Sequence, residues 1–269
     1  MLRLFRTDSL RVADVAHFDI AHDGCVLRVA LKRAPTARRM TLRVRAATRD
    51  VVLTLPRRAS LAAARAFVER HVAWIGARLK RLPQPVPFAP GETTPLRGLD
   101  HRIVHRPGMR GTVWTETGVD GAALICVAGE AAHVARRLAD FYRREARRDL
   151  EAAVARHAAT IAVRARSLTL RDTTSRWGSC TASGALNFSW RLVMAPPYVL
   201  DYLAAHEVAH LVHLDHSPRF WALTRRLSPD TDRAEAWLKA HGANLHRYGP
   251  QDAAESPAPD AFDIDRAVA

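Results

Sequence analysis

Cysteine is scarce in this chain. Cys25, Cys126 and Cys180 are the whole supply among 269 residues, an odd number with no C-x-x-C spacing. That excludes a disulfide scaffold and a cysteine-built zinc finger, and it points to a reducing compartment. Glycine (13) and proline (15) are too few for a collagen-like or low-complexity architecture. Long apolar runs are missing too: no stretch approaches the ~18–20 residues needed to cross a bilayer, so no membrane partner is expected. The opening Met1-Leu2-Arg3-Leu4-Phe5-Arg6 puts charge inside any would-be signal core, and a cytoplasmic location is the expectation. Lysine is nearly absent, with only Lys32, Lys80 and Lys239.

What remains is a globular composition, 48% hydrophobic and 25% charged, in a length that suits one large domain or two ordinary ones. Arginine supplies most of a formal net charge of +14, and the excess is uneven. Residues 1–110 hold 22 Lys and Arg against 8 Asp and Glu, whereas residues 111–269 hold 19 of each. A basic region of this kind attracts polyanions, so contact with nucleic acid, ribosome or another polyanion through residues 1–110 is one expectation. An arginine-rich solvated face is the plainer alternative.

Alternation of apolar and polar residues predicts strands over Val26–Lys32, Met40–Arg45 and Val51–Leu55, antiparallel, with one face apolar and the other studded with arginine. Ser60 is placed to cap a helix reaching about Leu82, with His71 on its apolar stripe as a packed histidine. A proline-rich crossing follows over residues 83–95, then weaker strands at Leu99–His105, Thr112–Thr117 and Ala122–Val127. A helical period runs from about Ala131 to Val163. Beyond it the pattern reads strand (Ser167–Leu170), turn, strand (Leu186–Val193), then a helix opened by Pro196-Pro197. This divides the chain into a basic strand-rich part (1–110), a second module (111–250) and an acidic disordered tail (251–269). The fold class is α+β.

The chemistry concentrates in His206-Glu207-Val208-Ala209-His210, an H-E-x-x-H sequence inside the last of these helices. Residues four apart stack on one face, so both imidazoles can reach one ion. Glu207, turned by about 100°, comes beside the metal's open position and is placed to take a proton from a metal-bound water. A catalytic zinc needs a third protein ligand. His213 lies ~10.5 Å along a straight helix from His206, too far to share the ion. His216 follows a helix end, with Ser217 as N-cap and Pro218 opening a new helix, so the chain can turn back and bring it to the metal. The spacing H-x3-H-x5-H is that of three-histidine metzincins, except that His213 stands where those have glycine. Glu235, 25 residues beyond His210, is the rival third ligand. Three imidazoles accept zinc but also Mn, Co, Ni or Fe.

The residues His206-Glu207-x-x-His210…Asp215-His216-Ser217-x-x-Phe220-Trp221, with Arg176-Trp177-Gly178-Ser179-Cys180 and Asn187…Trp190-Arg191-Leu192-Val193…Pro197 before them, resemble the YgjP-like family of metal-dependent hydrolases, relatives of SprT-like and minigluzincin peptidases. The resemblance covers about residues 25–247. It implies a zincin-like module with one zinc held by His206, His210 and His216, and Glu207 as catalytic acid/base. Arg176 is a candidate for an anionic substrate group, although a turn anchor explains it as well; Trp177 and Gly178 read as turn packing. His241, His246 and Tyr248 are candidate transition-state donors that spacing does not separate.

The leading expectation is therefore a zinc-dependent metallopeptidase, with a peptide substrate pairing along Leu186–Val193. A metal-dependent nucleotide phosphohydrolase on the same site is the alternative. A nucleic-acid or ribosome-binding protein with a structural metal is the second, disfavoured because such a site has no need of Glu207. Oligomeric state is left open.

Overall fold

The computed structural model describes residues 17–45 and 49–250; the acidic tail expected at 251–269 lies outside them. The chain forms two compact units that divide at Pro83 and Gln84. The boundary expected at 110/111 falls within a sheet of the second unit. Proline after Lys80 stops a helix there, whereas the strands that follow pair among themselves and pack on the long helix downstream.

The first unit holds β1 (His17–His22), β2 (Cys25–Ala34), β3 (Thr41–Val44), β4 (Val51–Pro56) and α1 (Leu61–Lys80). The sheet order is β1-β2-β4-β3. The expected antiparallel pairing holds for β3–β4, but β2 and β4 run parallel because β4 inserts between its two predecessors; β1, which was not expected, pairs antiparallel with β2. Apolar residues of one sheet face, among them Phe18, Ile20, Val29, Leu53 and Leu55, pack on Ala64, Val68 and Ile75 of α1. Ser60 caps α1 by accepting from the Ala63 amide at 3.1 Å. His71 is not packed as expected: it is exposed and stacks on Phe67, and Trp74 is 50% exposed, so the buried stripe is narrower than the apolar pattern suggested.

The second unit continues with β5 (Val86–Pro87), β6 (Thr93–Leu96), β7 (Leu99–Arg106), β8 (Val113–Thr117) and β9 (Ala123–Ala128). Next come α2 (Val134–Thr160), β10 (Ser167–Arg171), β11 (Gly178–Cys180), β12 (Ala185–Ser189), α3 (Pro197–Ala209), α4 (Pro218–Leu227), α5 (Thr231–His241) and β13 (Tyr248–Gly249). With strands and helices in both units the architecture is α+β. One sheet, β6-β7-β9-β8, packs on α2 through Ile103, Ile125, Val127, Leu138 and Tyr142. Helix α3 is apolar nearly all round, as a central helix must be, and Leu200, Leu203, Ala204 and Val208 are all buried.

The sheet nearest α3 has the order β10-β12-β11. The strand expected over Leu186–Val193 ends at Ser189, whose hydroxyl accepts from the Arg191 amide and turns Trp190–Met194 into a 3-10 coil. Being central, β12 has no free edge; β10 and β11 are the edge strands.

Arg191, 9% exposed, ties the end of the unit to this sheet. Its guanidinium grips both oxygens of Asp172 at 2.6 and 3.1 Å and donates to the carbonyls of Leu245 and Tyr248. Beside it His246 stacks on Trp177. Burial works to raise the Asp172 carboxyl, but the Arg191 hydrogen bonds and charge outweigh it and hold the group below its ordinary value. Arg191→Met is expected to cost about 2–4 kcal/mol, read from a urea midpoint, since it leaves the buried Leu245 carbonyl, the half-buried Tyr248 carbonyl and a carboxylate without their donor. A carboxyl held low contributes stability that is complete above its unfolded pKa and vanishes as pH falls through the lowered one. The measured cost should accordingly shrink in acid.

Candidate active site

The site is assembled from the end of α3, the turn after it, and the start of α4. His206 and His210 sit one turn apart with ring centroids 4.9 Å from each other. α3 stops at Ala209, with His210 as its C-cap, and the chain reverses. Ser217 caps α4, its hydroxyl accepting from the Phe220 amide, and Pro218 takes the first helical position. The reversal carries His216 back until its Nε2 lies 3.4 Å from Nε2 of His206. His213 has no positive φ, so this turn does not require the glycine of the metzincin pattern. Aromatic rings hold the imidazoles: His210 stacks on Phe220 at 4.4 Å and His216 on Trp221 at 5.7 Å.

Each of the three histidines offers a ring nitrogen, and these atoms lie within 4.8 Å of one another. Nitrogens bound tetrahedrally to zinc at 2.0–2.1 Å stand about 3.4 Å apart, the separation seen for His206 and His216. Burial, with the neighbouring imidazoles, pushes His206 down to about 3; burial also lowers His210 and His216. All three are thus neutral at neutral pH, the form that ligates. The residues present fit a divalent transition metal.

Glu207 is 3% exposed, and its Oε2 is buried without a hydrogen-bond partner. Burial drives its carboxyl up to about 8, against the opposing charge of Arg176. In the metal-free chain the group is therefore mostly protonated at neutral pH, and the charge of a cation held by the three imidazoles would favour its ionised form. Its place is held from the other side by Gly178 at the start of β11. A Cβ there would stand 2.8 Å from Cγ and Cδ of Glu207 and closer still to Oε1. Gly178 is therefore more than the turn packing expected of it, and spacing carried no sign of this long-range contact. Gly178→Ala should leave the fold intact but displace the carboxylate, lowering kcat by about 10²-fold with metal content unchanged.

Arg176 lies exposed in the loop before β11, its charge felt at Glu207 and its carbonyl accepting from the Thr173 hydroxyl. Glu235 does not join the three histidines. It sits behind His206, where its Oε1 accepts from the Tyr202 hydroxyl at 2.8 Å. Of the remaining candidates, His246 is half-buried against Trp177 and depressed to about 4, mainly by desolvation and then by Arg191. His241 packs on Trp237, and Tyr248 pairs with Val86 in β13.

The chain matches the family model of the YgjP-like metallopeptidase domain over residues 38–241. No curated protein matches it significantly. Among solved structures, the crystal structure of the metallopeptidase zymogen of Pyrococcus abyssi abylysin is similar at a TM-score of 0.32 and 17% identity, covering 37% of this chain and 98% of that one.

Proposed function

The chain belongs to the YgjP-like metallopeptidase family, and from that premise we propose that it is a zinc-dependent peptidase in which His206, His210 and His216 hold the ion and Glu207 is the catalytic base. The observation that carries this reading is the pairing of three convergent neutral imidazoles with a buried carboxyl group, its Oε2 without a hydrogen-bond partner, one residue after His206 on α3. When bound, the ion supplies Lewis acidity for a water and for the carbonyl to be cleaved. Glu207 Oε2, in the ionised carboxylate that the charge of a bound ion would favour, accepts the proton of the attacking water and returns it to the departing amine. The close approach of Gly178 to Cγ, Cδ and Oε1 of Glu207 restricts the movement of the carboxyl group.

An extended peptide has a natural seat along β11, the edge strand whose Gly178 meets Glu207, where backbone pairing tolerates many sequences. Arg176, at the end of that edge, is the group proposed to engage a substrate carboxylate or carbonyl. The Lys and Arg excess of residues 1–110 supports a separate contact with a polyanion.

Two measurements on the purified full chain test this. Metal analysis should find about one equivalent of transition metal, and unfolded casein should be cut while nucleoside triphosphates are left intact. Phosphate release from the nucleotides with casein untouched would overturn the peptidase reading in favour of a phosphohydrolase.

A further inference from the structure

The side of His206 that faces away from His210 and His216 is not left to chance. Tyr202, one helical turn earlier, is buried, and its hydroxyl lies 3.3 Å from Nδ1 of His206 and 2.8 Å from Oε1 of Glu235 on α5. The phenol has one proton. Glu235 accepts it, so the phenol oxygen is left to accept from His206, and Nδ1 must carry the ring proton. His210 is fixed likewise by a different device: its Nδ1 lies 2.9 Å from the carbonyl of His213, which can only accept.

We propose that Tyr202 and Glu235 are a positioning pair that selects the tautomer of His206 with Nδ1 protonated and Nε2 bare, aimed at a divalent transition metal. The inference rests on the metal-site reading above and extends it to two residues outside the histidine cluster. Direction matters along this chain of hydrogen bonds. Without an acceptor at position 235, the Tyr202 hydroxyl is free to turn and donate to Nδ1, which moves the ring proton to Nε2, where it blocks the metal.

Glu235→Ala and Glu235→Gln separate this from a packing role, because the amide oxygen of Gln still accepts from the phenol whereas Ala removes the acceptor. Nitrogen-15 NMR of metal-free protein reads the tautomer directly. Wild type and Glu235→Gln should show His206 protonated at Nδ1, and Glu235→Ala should show it protonated at Nε2. Tyr202→Phe, which keeps the ring and its packing, should leave the two forms mixed. Zinc affinity, measured by chelator competition, should fall about 10–100-fold in Glu235→Ala and Tyr202→Phe and stay near wild type in Glu235→Gln. An unchanged His206 tautomer in Glu235→Ala and Tyr202→Phe overturns the proposal, as does unchanged zinc affinity in both. The NMR experiment needs no metal, so a wild-type chain that binds none would sink the peptidase reading and still leave the tautomer result to be judged.

Discussion

Glu207→Gln is expected to lower turnover of an unfolded protein substrate by about 10²–10⁴-fold while about one equivalent of metal remains bound. The change is nearly isosteric, so Gly178 meets an amide where it met a carboxylate, and the three imidazoles are untouched. What disappears is a group able to hold a proton between water and leaving amine. Stability should change little at neutral pH, because the Glu207 carboxyl, pushed up to about 8 by burial, is already largely neutral there in the metal-free chain, as the amide is. Turnover, metal content and thermal midpoint measured together decide the matter: full turnover with metal retained would remove Glu207 from the mechanism.

His216→Ala has the other large effect, on metal occupancy. His216 is the exposed member of the triad, so its truncation costs little packing. Loss of one imidazole in three leaves a site that does not keep zinc through purification, and hydrolysis goes with it. A ligand present at a hundred times its dissociation constant stabilises the folded state by about 2.7 kcal/mol. For a chain of this size that corresponds to roughly 5–10 °C in thermal midpoint. Adding a strong chelator should therefore lower the midpoint of the wild type by about that amount and leave His216→Ala unmoved. A variant that still carries a full equivalent of zinc would return the third position to Glu235.

The H-E-x-x-H helix and the return of His216 were both readable because each is local. Residues four apart share a helix face whatever lies around them, and Ser217-Pro218 is a helix start that forces the chain to turn. The pattern favours His216 over Glu235, but the place Glu235 takes instead was not readable, since it depends on how α5 packs behind α3. Tyr202 did carry a signal, standing four residues before His206 on the same face, but its partner Glu235 is brought in by tertiary packing alone. Gly178 and Glu207 meet across a sheet edge and a helix, and no period in the chain encodes that. Strand order failed for the same reason. Alternation marked β2, β3 and β4 correctly but is blind to which strand inserts between which, and it ran β12 past the Ser189 cap into a coil that is just as apolar. Nor does composition mark the division at Pro83: the basic excess and the structural boundary answer to different demands, solvation in one case and the closing of a core in the other.

The carbonyl of His213 gives the reversal between α3 and α4 a second meaning. In a longer α3 this oxygen would bind an amide further down the helix; here it is spent on His210 instead. The reversal thus aims His210 as well as returning His216, so the length of the segment 210–217 is expected to be critical. One residue added would carry His216 past its neighbours, and one removed would pull the oxygen off the ring. Insertions and deletions should be tolerated in many of the outer loops of this protein, but this short reversal is a ruler, and its graduations are single residues.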